Sequence, residues 1–221
     1  DFRMKRKKVL LVYTYYSIFV KTDYEILSSE FEVTCYQFKP VTGAFPTLWQ
    51  LFLQLGFLLV HIRKFDLVYI WFADQHSFLP VFFANAAMKK SFLVIGGYDV
   101  CRIPKLNYGV FCSKIRGFAA VYSMKNSSLN LPVSNYVARK VKAITRKENF
   151  STAFNCVNLQ SPRMNDMPVR KIVLTVGQID SERTYLLKGI DTFVETARIL
   201  TDIPFFIAGF DGERLGYLKR N

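Results

Sequence analysis

Short continuous apolar runs alternate along this chain with longer stretches whose apolar positions recur at helical spacing. Val9 to Tyr13 is an apolar run of strand length, Asp23 to Glu30 is helical in pattern, and Phe31 to Phe38 predicts a second strand. After a loop from Pro40 to Pro46 comes the most apolar segment, Phe45 to Ile62, with apolar residues nearly all round the predicted helix. Phe65 to Phe72 predicts a third strand entered through Asp66. Phe78 to Met88 predicts a helix closed by Lys89 and Lys90, and Ser91 to Ile95 a fourth strand. Residues 101–118 read as loop, Ala119 to Tyr122 as a short strand, Leu131 to Ser134 as another strand with a helix cap, and Asn135 to Ile144 as a basic helix. Apolar strands separated by helices predict an α/β fold with a parallel sheet covered on both faces.

The pattern is sharpest from Lys171 to Asp191, KIVLTVGQIDSERTYLLKGID. A β-branched run from Ile172 to Val176 ends at Gly177. A polar loop from Gln178 to Thr184 follows, then Tyr185, two leucines, Lys188 and Gly189. Ile190, Phe193, Val194, Ala197, Ile199 and Leu200 then recur at helical spacing. A strand, glycine turn and helix in this order place backbone N–H groups and the positive end of a helix dipole at the C-terminal edge of a sheet, where anions bind. Lys188 there suits a phosphate or diphosphate; a lysine in a polar loop is also often simply solvated.

This stretch resembles the opening of the C-terminal domain in retaining GT-B glycosyltransferases of family 4. There an apolar strand ends in glycine and a basic loop leads to Lys-Gly-hydrophobic-Asp at a helix start. The match continues through Phe193 to Gly209, FVETARILTDIPFFIAG. Gln178 stands where many of these enzymes carry an arginine, and Arg183 is the candidate replacement. The resemblance implies two Rossmann-like domains. The first, residues 1–158, would hold the acceptor. A linker over 159–170 would lead to the start of an incomplete nucleotide-sugar domain at 171–221. Met4 would be the natural start. A Glu-x7-Glu segment would lie beyond Asn221, and Asp211-Gly212-Glu213 would be only the loop after the second strand. The chain by itself is then expected to show weak or no transfer.

The implied reaction is transfer of a sugar from a UDP- or GDP-linked donor to an acceptor hydroxyl with retention, in polysaccharide or glycolipid and cell-envelope synthesis. Lys188 and Arg183 would stabilise the departing diphosphate, with Gly177 and Gly189 on the donor side. On the acceptor side the candidates are Asp74 and His76 after the third strand, and Gly96 and Gly97 after the fourth. Gly96 stands where the family has a histidine, so Asp99 is the nearest polar candidate at the reaction centre. Asp99 reads equally as a turn cap, and His76 as a helix N-terminal residue bonded to backbone. No metal and no further cofactor is implied. The alternative is a non-catalytic Rossmann-like module that binds a phosphorylated ligand or an anionic membrane surface.

Charge changes this picture. Residues 1–150 carry 21 Lys and Arg against 9 Asp and Glu, and residues 151–221 carry 9 against 8. The first part thus holds +12 of the net +13, a field that favours anionic partners. No nucleic-acid motif accompanies it, so a specific nucleic-acid partner is not expected. Half the residues are hydrophobic, which excludes disorder. Four separated cysteines show no zinc spacing and predict no disulfide framework, consistent with a cytoplasmic enzyme.

The basic head and apolar run of residues 4–16 are similar to a short signal peptide. Tyr13 to Ser17 interrupt the run and no cleavage motif precedes Lys21, which favours a buried strand. Phe45 to Ile62 allows three readings: a helix buried against the sheet, an interfacial membrane helix with Trp49 and Phe52 in the lipid boundary and Arg63-Lys64 at the headgroups, or a membrane span. The interfacial reading implies a peripheral enzyme on the inner face of the membrane with a sugar, polysaccharide or lipid-linked acceptor.

Overall fold

A computed structural model describes residues 6–156, 171–177 and 179–209. The expected linker over 159–170, Gln178 and Asp211 to Glu213 lie outside the described residues. The chain divides into two compact units, Asp1–Leu159 and Gln160–Asn221.

In the first unit the central apolar runs become strands because neither face meets water. β1 (Lys8–Tyr13), β3 (Leu67–Trp71) and β4 (Lys90–Ile95) form the centre of the sheet, with β2 (Glu32–Gln37) and β5 (Leu129–Pro132) at its edges. All pairs are parallel in the order β2-β1-β3-β4-β5. Four helices connect them, α1 (Ile18–Glu30), α2 (Ala44–His61), α3 (Gln75–Ala86) and α4 (Lys114–Asn126), and a fifth, α5 (Asn135–Thr145), follows β5. Leu10, Val12, Val68, Ile70, Leu93 and Ile95 fill the larger core layer against the helices. Leu11, Trp71 and Val94 point the other way, toward Val20 of α1.

Hydroxyl and carboxylate caps set the helix starts. Ser17, Ser113 and Ser134 each accept a backbone N–H from the first turn of α1, α4 and α5, and Asp74 closes a capping box at α3. α1 and α3 therefore begin earlier than periodicity alone predicts, at Ile18 and Gln75. The expected strand at Ala119 to Tyr122 is instead the middle of α4. The Ser113 cap starts a helix whose Ala119, Ala120, Ser123 and Met124 bury one face, and Val121 is its sole β-branched residue after Ile115. The fifth strand lies beyond it, at β5.

Pro80 lies inside α3 and has no N–H to give the carbonyl of His76 one turn earlier. The Gln54 amide of α2 donates to that carbonyl instead, at 3.0 Å. This bond and Leu58 fasten α2 to the unit. Among the residues of α2 itself, only Gln54 and Leu58 are buried, so the expectation of a helix buried against the sheet gives way to one with a broad exposed apolar face.

The second unit pairs β6 (Val173–Val176) in parallel with β7 (Phe205–Ala208). Between them lie α6 (Glu182–Leu187) and α7 (Ile190–Ile199). Ile179, Tyr185 and Ile190 form a small core with Val194 and Ile207 packed on it. The loop expected up to Thr184 is shorter than predicted, because Ser181 caps a helix that begins at Glu182.

Asn130 is a buried polar residue on β5. Its amide donates to the carbonyls of Met124 and Asn149, and its oxygen accepts from Ser127. We expect Asn130→Ala to lower unfolding free energy by about 2 kcal/mol, since it leaves buried carbonyls unpaired. Urea denaturation measures this, and a change near zero would show that those groups find other partners.

Candidate functional site

In an open parallel sheet ligands collect at the C-terminal strand ends, near the point where strand order reverses. In the first unit that reversal falls between β1 and β3, so the loops after β1, β3 and β4 define the candidate edge. Three of its features were not legible in sequence. One is an aromatic cluster after β1, where Tyr16 packs on Tyr13 and Tyr24 at 5.5 and 6.5 Å between ring centroids. The second is Phe72, held at φ 70° directly after β3, a left-handed conformation uncommon for a non-glycine residue. The third is Arg116, whose Nε donates to Asp74 at 2.9 Å, whose Nη2 also pairs with that carboxylate, and whose guanidinium lies over the Tyr98 ring at 5.5 Å.

The structure gives the predicted acceptor-side residues particular tasks. Asp74 caps α3 through the Gln75 N–H and holds Arg116. His76 is 2% exposed, and its Nε2 lies 2.9 Å from the Trp71 carbonyl. Burial pushes its pKa down, so the ring is a neutral Nε2–H donor to that carbonyl. It therefore faces the backbone of β3. Gly96 is where the Phe72 ring packs: a Cβ there would lie 2.3 Å from a ring carbon. Gly97 takes φ 118°, which side-chain-bearing residues rarely adopt.

Asp99 is expected as a polar group at the reaction centre, and it is 0% exposed. Its Oδ2 accepts from the N–H of Ala73 at 3.1 Å and of Gly96 at 3.3 Å, and its Oδ1 from the N–H of Gly97 at 2.8 Å. It ties the loop after β3 to the loop after β4, which is the work of a cap. Burial raises its pKa from 3.8 to about 6, although those three N–H donors act in the opposite direction.

In the second unit Lys188 and Gly177 come together. Lys188 ends α6, Gly189 (φ 65°) starts α7, and the Lys188 side chain lies across Gly177 at the end of β6. A Cβ at Gly177 would meet Lys188 Cδ at 3.1 Å and Nζ at 3.5 Å, so the absence of a side chain at 177 is what lets the ammonium lie over the strand end. The residue after Lys188, Gly189, is the N-cap of α7, whose first-turn N–H groups have no partner within the helix. Arg183 is exposed in the first turn of α6, the helix that Lys188 closes. Among the described residues no group of three His, Cys, Asp or Glu side chains is placed to hold a metal ion.

These features define an α/β chain of GT-B-like, Rossmann-like architecture, and solved structures bear this out. A UDP-N-acetylglucosamine 2-epimerase is similar with a TM-score of 0.56 at 12% identity, covering 92% of this chain and 63% of its own. A Listeria monocytogenes protein assigned as a UDP-N-acetylglucosamine 2-epimerase is similar with a TM-score of 0.56 at 11% identity, covering 92% and 62%. The enzyme from Methanocaldococcus jannaschii, solved with UDP-GlcNAc and UDP, is similar with a TM-score of 0.51 at 13% identity, covering 97% and 68%. The chain thus spans about 63% of the first of these. No protein-family model matches the sequence, and no curated protein matches it.

Asp99 supplies a pH test. A carboxyl whose folded pKa lies above its unfolded value stabilises the fold below about 3.8, and that contribution is lost as pH rises through about 6. Asp99→Asn keeps the size but turns an amide N–H₂ toward backbone donors, so it should cost about 1–3 kcal/mol at low pH. The gap between wild type and variant should narrow by up to about 3 kcal/mol between pH 4 and pH 7. Urea midpoints across that range measure it, and a constant gap would mean that Asp99 does not titrate there.

Proposed function

We propose that this chain is part of a nucleotide-sugar enzyme that transfers a glycosyl group from a UDP- or GDP-linked donor to an acceptor hydroxyl, with retention, in the manner of family 4 GT-B glycosyltransferases. The observation that carries the reading is the Lys188 ammonium lying across Gly177 at the end of β6, beside the start of α7 at Gly189. A cation, a strand end without a side chain and a helix N-terminus suit a diphosphate. Two further points support it: the GT-B-like fold, and the UDP and UDP-GlcNAc held by a structurally similar enzyme.

In this reading the donor diphosphate sits against Lys188 and the first N–H groups of α7. Negative charge grows on the leaving diphosphate as the glycosidic bond breaks. A fixed ammonium opposes that charge more strongly in the transition state than in the ground state, which is where rate is gained. Arg183 is the second candidate cation. The acceptor, a sugar, polysaccharide or lipid-linked precursor, belongs at the C-terminal edge of the first sheet, along the loops after β1, β3 and β4. There Asp99 acts as a positioning residue, since it sets the two loop backbones and touches no solvent.

Calorimetric titration of UDP, GDP and their sugar conjugates tests the donor site, using this chain and a version extended through a complete second Rossmann-like domain. Saturable binding by the extended chain is expected. Lys188→Ala should weaken it roughly tenfold or more, with the circular dichroism spectrum unchanged. Binding as tight as wild type in that variant would remove Lys188 from the site. Gly177→Ala is expected to displace the Lys188 side chain and weaken binding several-fold, roughly 1 kcal/mol, without unfolding the unit. Unaltered affinity would show that the close approach of Lys188 to Gly177 is irrelevant to the donor.

A further inference from the structure

The exposed face of α2 is one wall of an apolar groove. Trp49 and Phe52 are 53% and 63% exposed and stack on each other at 5.7 Å. The first turns of α4 contribute Ile115 and Phe118, also largely exposed. Between these helices and α3 lies a cavity of about 670 Å³, lined by Leu48, Phe52, Leu55, Phe78, Ile115 and Phe118 among others. Ala44, Gln75 and Ser113, at the starts of α2, α3 and α4, also line it. The cavity therefore lies toward the sheet edge that carries the Gly96-Gly97 loop.

Charge identifies the occupant. α2, α3 and α4 contain no Asp or Glu. α4 carries Lys114, Arg116 and Lys125, Arg63 and Lys64 follow α2, and Lys89 and Lys90 follow α3. Asp74, the carboxylate that caps α3, is paired with Arg116. Asp66, two residues after Lys64, is a further carboxylate nearby; an apolar, aromatic face with a predominantly basic surround fits a surface with hydrocarbon beneath anionic groups.

We propose that this face seats the first unit on an anionic lipid bilayer. Trp49, Phe52, Ile115 and Phe118 enter the acyl boundary, one hydrocarbon chain occupies the cavity, and Lys114, Arg63 and Lys64 meet headgroup phosphates. The segment Ala44–Lys64 is long and apolar enough to cross a membrane by length and composition. Gln54 bonded to the His76 carbonyl, and Leu58 in the core, hold it along the domain surface instead. The seat does not depend on the glycosyl transfer proposed above.

The two tryptophans make the test direct. Trp71 is 3% exposed in the sheet, so a change of emission on adding vesicles reports Trp49. Phosphatidylcholine vesicles with and without phosphatidylglycerol are the probes, read by co-sedimentation and tryptophan emission. With anionic vesicles we expect a blue shift, quenching by brominated acyl chains, and partitioning at least tenfold above that to neutral vesicles. The exposed double variant Phe52→Ser, Phe118→Ser should lose at least tenfold in partitioning while keeping its circular dichroism spectrum. Trp49→Phe should still bind but lose the emission change. Unchanged Trp49 emission, or full binding by the double variant, would overturn the proposal. So would a dimer in analytical ultracentrifugation that the double variant dissociates, because a second copy would then be the occupant.

Discussion

The buried Asp99 carboxylate is the constraint on which the ligand edge of the first unit depends. It accepts three backbone N–H groups, one from the loop after β3 and two from the loop after β4. Without it those donors would be buried and unpaired, and neighbouring loops would have no fixed relation. The rest of the edge is built around that bond set. Phe72 turns at positive φ just before Ala73, its ring fills the space a side chain at 96 would take, and Gly97 supplies the backbone angle that brings its own N–H to Asp99. A carboxylate at this position serves geometry, and the solvent-facing surface is left to the aromatic loop after β1 and to the Arg116–Asp74–Tyr98 cluster.

A second bond decides the character of the long apolar helix. Pro80 cannot donate, so the His76 carbonyl is left over within α3, and Gln54 takes it. One polar side chain in an apolar helix thereby selects which face meets the domain. Leu58 follows on that face, one helical turn later, with Phe57 packed against the same core, while Phe45, Trp49 and Phe52 are turned outward. A separate bond holds the His76 ring, which is buried and lies against the Trp71 carbonyl of β3.

Much of the architecture was legible in sequence because parallel strands buried on both faces read as uninterrupted apolar runs. Val9 to Tyr13, Phe65 to Phe72 and Ser91 to Ile95 were found that way, with the third strand shorter in the structure at Leu67–Trp71; the Gly177, Lys188 and Gly189 pattern was found by its order and by its resemblance to a family motif. Ala119 to Tyr122 misled because a small-residue, buried helix face and a short strand have similar hydrophobicity over four residues. The starts of α1 and α3 were placed late, and the short helix α6 was not expected at all, because a capping Ser or Asp decides where they begin, and caps carry no periodicity.

The sequence by itself determined the alternation of strands and helices, the concentration of positive charge in the first 150 residues, and the strand-glycine-lysine-helix order around Gly177. These are local properties, set by side-chain period, backbone freedom and charge, and they survive without knowledge of neighbours. Only the tertiary structure decided that Asp99 is enclosed by three N–H groups, that His76 is buried, that Lys188 lies over Gly177, and that α2 shows its aromatic face to the outside. Asp99 and α2 depend on partners more than twenty residues away in the chain, and even the nearer pairs, His76 with Trp71 and Lys188 with Gly177, need the strand and helix to be packed before the side chains meet.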